Sequence, residues 1–145
     1  MFFNPVQRKK LKVTSPFGKK RWDKIKKKYI YHKGTDLRCW DFIKRKHQPF
    51  IATENSLVLR VKRDSNDNGI IVLKPMESDY SEIKYIHVAI ETCHVIEGQK
   101  IEGGHVLGYA EVRGQSKSLH LHFETLFDGF KIDPMIYIKK YIRNK

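Results

Sequence analysis

From Phe50 onward apolar residues recur in short runs, often at every second position, and this spacing predicts strands rather than helices. Ser56 to Arg63 carries alternating apolar residues near its end and runs into Asp64-Ser65-Asn66-Asp67-Asn68-Gly69, a cluster of turn formers. Ile70 to Leu73 is a short apolar run closed by Pro75. Ile83 to Ile90 and Val106 to Ala110 read as further strands, with turns at Glu97-Gly98-Gln99 and Glu102-Gly103-Gly104 between them. The clearest strand is Leu119 to Leu126, which alternates strictly; Asp128-Gly129 then signals a hairpin into Phe130-Lys131-Ile132. Asp133-Pro134 introduces Met135 to Tyr141, a segment suited to a short C-terminal helix, because Pro is tolerated at a first helical position after an Asp cap. Short strands separated by turns predict a mainly β, antiparallel domain.

The N-terminal third is less regular. The first ten residues read as a flexible basic arm, so the expected division is an arm over 1–12 and one domain over 13–145. Thr14-Ser15-Pro16-Phe17-Gly18 is a turn, since Pro sets φ and Gly permits positive φ. Lys19 to Lys28 holds only Trp22 and Ile25 as apolar residues and suits a short exposed helix or a loop. No internal repeat or low-complexity linker interrupts the chain.

Charge adds a bias that the apolar pattern does not show. With 145 residues the chain is about one domain, and 29 basic against 16 acidic residues leave a net charge of +13. Sixteen basic residues precede His47, against only Asp23, Asp36 and Asp41. One flank should therefore carry a positive field that attracts polyanions, with nucleic acid and anionic cell-wall polymers as the two candidates. Cys39 and Cys93 form no CxxC pattern; two free, partly buried thiols are expected, with a single bridge left open. No apolar run approaches the roughly 20 residues of a membrane span. The start has no apolar segment of secretory type before Arg8-Lys9-Lys10.

The histidines carry the candidate chemistry. In Leu119-His120-Leu121-His122-Phe123-Glu124 strand alternation puts His120, His122 and Glu124 on one face, where two imidazoles can reach one metal or one substrate. The bland alternative is the polar side of an edge strand. In His32-Lys33-Gly34-Thr35-Asp36 an imidazole and a carboxylate can converge on one ion if the chain turns at Gly34, and that pair suits zinc. His87 lies in an expected strand among apolar residues, where a satisfied buried histidine is the simpler reading. There is no HExxH, no GxSxG elbow and no phosphate-binding loop.

Seven pieces stand in a fixed order: Ser15-Pro16-Phe17-Gly18, His32-Lys33-Gly34-Thr35-Asp36, Ala52-Thr53-Glu54-Asn55, Tyr85-Ile86-His87, the Val95 to Gly108 stretch, His120-Leu121-His122-Phe123-Glu124 and Asp133-Pro134. Together they resemble the lysostaphin-like, or LytM-type, zinc endopeptidases. The resemblance spans about Val13 to Ile138 and implies a mainly β fold with a zinc-bearing cleft. It implies one zinc per chain, held by His32, Asp36 and His122, with His87 and His120 as catalytic histidines that are not ligands. It implies an endopeptidase acting on bacterial peptidoglycan, at a cross-bridge or stem-peptide bond. Glu124 receives no role. The departures are a long basic Lys19 to Tyr31, an added Cys39 to Gln48, Asn55-Ser56 in place of a glycine, and the approach Gly114 to His120; all would rim the cleft.

These readings make a monomer bound to peptidoglycan and anionic wall polymers the expected state, with delivery as a phage lysin, a virion-associated enzyme or a domain of a longer secreted protein. Three alternatives compete. A non-catalytic wall- or partner-binding relative would be expected to lack some of the zinc ligands, and all five key positions are filled. A nucleic-acid-binding protein accounts for the charge and for Trp22, Tyr29, Tyr31 and Trp40 among the lysines, but leaves the histidines unexplained. A biotinyl- or lipoyl-carrier β sandwich lacks a lysine at the hairpin tip.

Overall fold

The computed structural model describes residues 1–111 and 120–143. Its strands are β1 Val13–Ser15, β2 Lys20–Asp23, β3 Lys28–Tyr31, β4 Thr35–Arg38, β5 Trp40–Asp41, β6 Lys46–His47, β7 Phe50–Ile51, β8 Ser56–Arg63, β9 Gly69–Pro75, β10 Glu82–Ile86, β11 Lys100–Ile101, β12 Val106–Gly108, β13 His120–Phe127 and β14 Phe130–Ile132. A single α-helical turn, α1 Pro134–Tyr137, continues into a wider π turn at Ile138–Arg143. The fold is mainly β and antiparallel with a short C-terminal helix, as the alternation predicts.

One large sheet orders its strands β1-β4-β13-β10-β9-β8-β11, with β14 also paired to β13. Every pairing in it is antiparallel. A second, two-stranded sheet of β7 and β12 lies over its inner face. The core sits between them: Leu37, Leu121, Phe123 and Tyr85 from the large sheet meet Phe50 and Leu107 from the small one, closed by Tyr137 and Ile138. The Tyr85 hydroxyl donates to the Ile51 carbonyl at 2.7 Å and ties the two sheets together. Because side chains alternate along a strand, burying Leu121 and Phe123 turns His120, His122 and Glu124 to the opposite face. Leu119, the expected first residue of β13, and the Gly114 approach lie outside the described residues.

Three expectations change, and one added segment takes a defined form. Lys19 to Lys28 is part of a β hairpin, β2 with β3, because Trp22 packs edge-on against Tyr29 at 5.1 Å across the strands and Lys20 lies over the same ring. Cys39 to Gln48 forms a second small hairpin, β5 with β6. The first ten residues are no flexible arm: Val6 is fully buried and pairs with Phe50, Phe2 stacks on Tyr141, and the Phe3 amide donates to Thr53. The strand expected over Ile83 to Ile90 ends at Ile86, because His87 takes a φ of 74°. Cys39 and Cys93 are both free, as expected.

Candidate metal centre

Two segments bring the site together, each for a local reason. Across β4 and β13, Asp36 stands directly opposite His122, so their side chains share the outer face as close cross-strand neighbours. The His122 Nδ1 comes within 3.0 Å of Asp36 Oδ1. His32 arrives from the turn between β3 and β4, with its Nε2 3.1 Å from His122 Nδ1 and 3.3 Å from Asp36 Oδ1. One ligand atom from each of the three residues lies within 4.8 Å of the others, a grouping that could hold a metal ion.

The Ser-Pro-Phe-Gly turn cradles His32. The Gly18 amide donates to the His32 carbonyl at 2.8 Å, and the His32 amide donates to the Lys19 carbonyl at 2.9 Å. The Pro16 carbonyl lies 3.0 Å from His32 Nδ1 and accepts from it, which leaves Nε2 with its lone pair toward the cluster. Gly34 has a steric reason. A methyl group there would lie 2.6 Å from the Phe123 carbonyl oxygen and 2.7 Å from His122 Nε2, so only glycine lets the chain pass beneath β13 on its way to Asp36.

His87 and His120 flank the group. Their rings meet edge to face at 4.9 Å, and the His87 ring lies 6.1 Å from that of His122. His120 Nε2 reaches to 3.6 Å from Asp36 Oδ1. His87 is held by Gly69, whose carbonyl accepts from the His87 amide at 2.9 Å and from the Val88 amide at 3.0 Å. A non-glycine residue at positive φ is uncommon and marks a backbone conformation imposed by its surroundings. The His87 Nδ1 is buried and has no hydrogen-bond partner among the described residues. Sequence reasoning predicts five positions, and the structure gathers all five.

The electrostatics follow from this crowding. Burial alone would raise the Asp36 carboxyl, but the His122 and His32 imidazoles against it outweigh that and hold it well below the usual range. Burial opposes a charge on His122, yet hydrogen bonds to Asp36 and Glu124 push it up to about 9. A proton held there between two carboxylates stands where a divalent cation would compete for the same lone pair. For His87, burial and then the nearby His120 and His122 lower the pKa to about 4, so its ring is neutral at neutral pH. Two residues escape sequence reasoning as partners of the site. Glu124 Oε2 accepts from His122 Nε2 at 2.8 Å, and Lys131 Nζ lies 3.3 Å from Glu124 Oε1. Glu124 is visible by alternation; Lys131 is not, because only the β13–β14 hairpin brings it back.

Residues 31–134 match peptidase family M23. The chain belongs to peptidase family M23. The M23 chain is 25% identical over 131 residues to the peptidoglycan DD-endopeptidase ShyB of Vibrio cholerae, a match that covers 90% of this chain and 29% of that protein. The chain therefore spans less than a third of that relative's length. Among solved structures it superposes on a zinc-containing peptidase from Vibrio cholerae with a TM-score of 0.72 and 25% identity, covering 93% of this chain and 40% of that one. The catalytic domain of lysostaphin from Staphylococcus simulans shares the fold, with a TM-score of 0.67 and 20% identity over 89% of this chain and 92% of that one. Among the described residues of the M23 chain no helix is long and apolar enough to cross a membrane.

Proposed function

We propose that this M23 chain is a zinc-dependent endopeptidase that hydrolyses a peptide bond in bacterial peptidoglycan. The observation that carries the proposal is the convergence of His32, Asp36 and His122 within 4.8 Å, with two further histidines beside them. Two imidazoles and a carboxylate are a donor set that zinc favours, and three protein ligands leave the open position a catalytic site needs. The orphaned Nδ1 of His87, aimed at no protein partner among the described residues, fits a site that receives a further group.

His32, Asp36 and His122 would hold one zinc. When bound, the ion would supply Lewis acidity, lowering the pKa of a water and polarising a carbonyl. The protein's own part falls to His87 and His120. The neutral His87 ring can take a proton or orient a water by hydrogen bond. His120, beside the Asp36 carboxylate, can carry a proton toward a leaving amine or face the charge that develops on the carbonyl oxygen. Both would touch the reacting atoms, and the division between them is set by how the substrate lies.

The approach to this site fits a polymer of negative charge. Beside His32 a cavity of about 690 Å³ is lined by Lys28, Tyr29, Tyr31, Lys33 and Lys131, and Trp22, Tyr29 and Tyr31 are all more than half exposed. Carboxylate-bearing stem peptides and anionic wall polymers suit lysines interleaved with aromatic rings. The protein is expected to act as a monomer.

Purified protein should contain one zinc per chain and release new amino termini from peptidoglycan, identified by mass spectrometry. Chelation should abolish release and zinc should restore it. His32→Ala and His122→Ala should lose the metal, whereas His87→Ala and His120→Ala should keep it and lose turnover, by about 10²–10⁴-fold for a proton-transfer residue. Wall hydrolysis by the metal-stripped protein, or full turnover in both of the last two variants, would reject the proposal.

A further inference from the structure

We infer that Glu124 is a positioning residue for the metal, acting through His122. The inference rests on the zinc reading of the site and goes beyond it, because it selects which nitrogen of His122 is the ligand. The imidazole of His122 has two nitrogens on opposite sides of its ring. Nδ1 points into the cluster, 3.1 Å from His32 Nε2 and 3.0 Å from Asp36 Oδ1. Nε2 points away from it and lies 2.8 Å from Glu124 Oε2. A carboxylate can only accept, so this contact keeps a proton on Nε2, and the proton that Nδ1 shares with Asp36 is the one an arriving ion would displace. Glu124 thereby fixes the ring plane before any ion arrives and leaves Nδ1 as the nitrogen that would take it. A carboxylate behind an imidazole also makes that imidazole a stronger donor to a metal.

The carboxylate is built in. Glu124 is 4% exposed, at mid-strand in β13, and Lys131 Nζ approaches it at 3.3 and 3.4 Å from β14. Lys131 offsets the cost of burying that negative charge beside the site. Gly34 completes the arrangement from above. A methyl group there would meet His122 Nε2 at 2.7 Å and Glu124 Cγ at 2.9 Å, squarely on the hydrogen bond. The glycine of the His32–Asp36 element thus protects a contact made by two residues nearly a hundred positions later.

Zinc affinity of Glu124→Ala, Glu124→Gln and Lys131→Met, measured by competition with a chelator, tests this, alongside imidazole nitrogen NMR of the zinc-loaded wild type. Glu124→Ala is expected to bind zinc about 10–100-fold more weakly, with Glu124→Gln between it and wild type, because the amide oxygen still accepts from Nε2. The cobalt(II)-loaded absorption spectrum should shift in Glu124→Ala, a change that loss of packing alone would not cause. In wild type the NMR should show His122 protonated at Nε2 and metal-bound at Nδ1. Unchanged affinity in Glu124→Gln and Lys131→Met with the opposite tautomer would overturn the inference, and Glu124→Gln keeps the test open if the alanine variant fails to fold. A wild type that binds no zinc would instead overturn the function proposed above, and this inference with it.

Discussion

At Gly34 and Gly69 the absence of a side chain does structural work that a motif alone cannot explain. Gly34 faces the Phe123 carbonyl and the His122 ring, whereas a methyl group on Gly69 would lie 1.9 Å from the Val88 carbonyl oxygen, next to His87. The two sites should therefore fail differently. Gly34→Ala is expected to lose zinc affinity, because it pushes on a ligand. Gly69→Ala is expected to retain zinc and lose turnover, because it moves the His87 backbone. Each should also lower stability by about 1–3 kcal/mol, the usual cost of forcing atoms into a packed site. Metal content and turnover measured on both variants check the contrast; identical metal content in wild type and Gly34→Ala would contradict it. His87 shows why residue-level reading stops short. Tyr85-Ile86-His87 reads as continuous strand, yet pairing to β9 ends at Ile86 and His87 turns at φ 74°. A local pattern cannot register that Gly69 waits across the sheet to receive its amide.

At the scale of elements, the β2–β3 hairpin departs most from expectation. Its apolar residues are few, and propensity alone allows a helix or a loop. The pairing of Trp22 with Tyr29 is a cross-strand contact that a one-dimensional scan does not weigh. The hairpin puts Lys28 and Tyr31 beside the cavity next to His32. Reversing charge with Lys28→Glu and Lys33→Glu should raise KM for peptidoglycan, leave kcat on a short neutral peptide unchanged, and weaken the salt dependence of wall binding. Exposed charges are screened beyond about 8 Å at physiological ionic strength, so a wild-type KM indifferent to salt would remove the basis for the steering role. The C-terminal helix follows its expectation more closely: Asp133 caps it by accepting from the Met135 amide at 2.9 Å.

For the whole molecule, the site makes stability depend on pH in two directions. His87 has a folded-state pKa lowered to about 4 by burial and by neighbouring His120 and His122, below the ordinary imidazole value. The unfolded chain then binds the extra proton first, so stability falls as pH drops from about 6.5 toward 4. His122 runs the other way. Burial is overridden by Asp36 and Glu124, its pKa rises to about 9, and its stabilisation, full below about 6.5, is lost as pH climbs from there through about 9. Zinc-stripped protein should therefore be most stable near pH 6.5, a value set by the ordinary imidazole pKa of about 6.5. Loading with zinc should flatten the alkaline limb, because the metal replaces the His122 proton. Melting temperatures across pH, with and without zinc, check this. A stripped protein that grows steadily more stable up to pH 9 would contradict the assignment for His122.

Strand periodicity, turn residues and an Asp-Pro cap were enough to determine the class of fold, because each acts over a few neighbouring residues. The ordered histidine elements were enough to point at five positions, and the family match agrees with the motifs that suggested them. Tertiary structure alone decided the rest. It brought Glu124 and Lys131 behind His122, turned a basic segment into a cleft-side hairpin, packed the first residues onto the core and bent the chain at His87. Each of these depends on a contact between residues far apart in sequence, where geometry across the sheet, and not the order of residues along a strand, sets the energy.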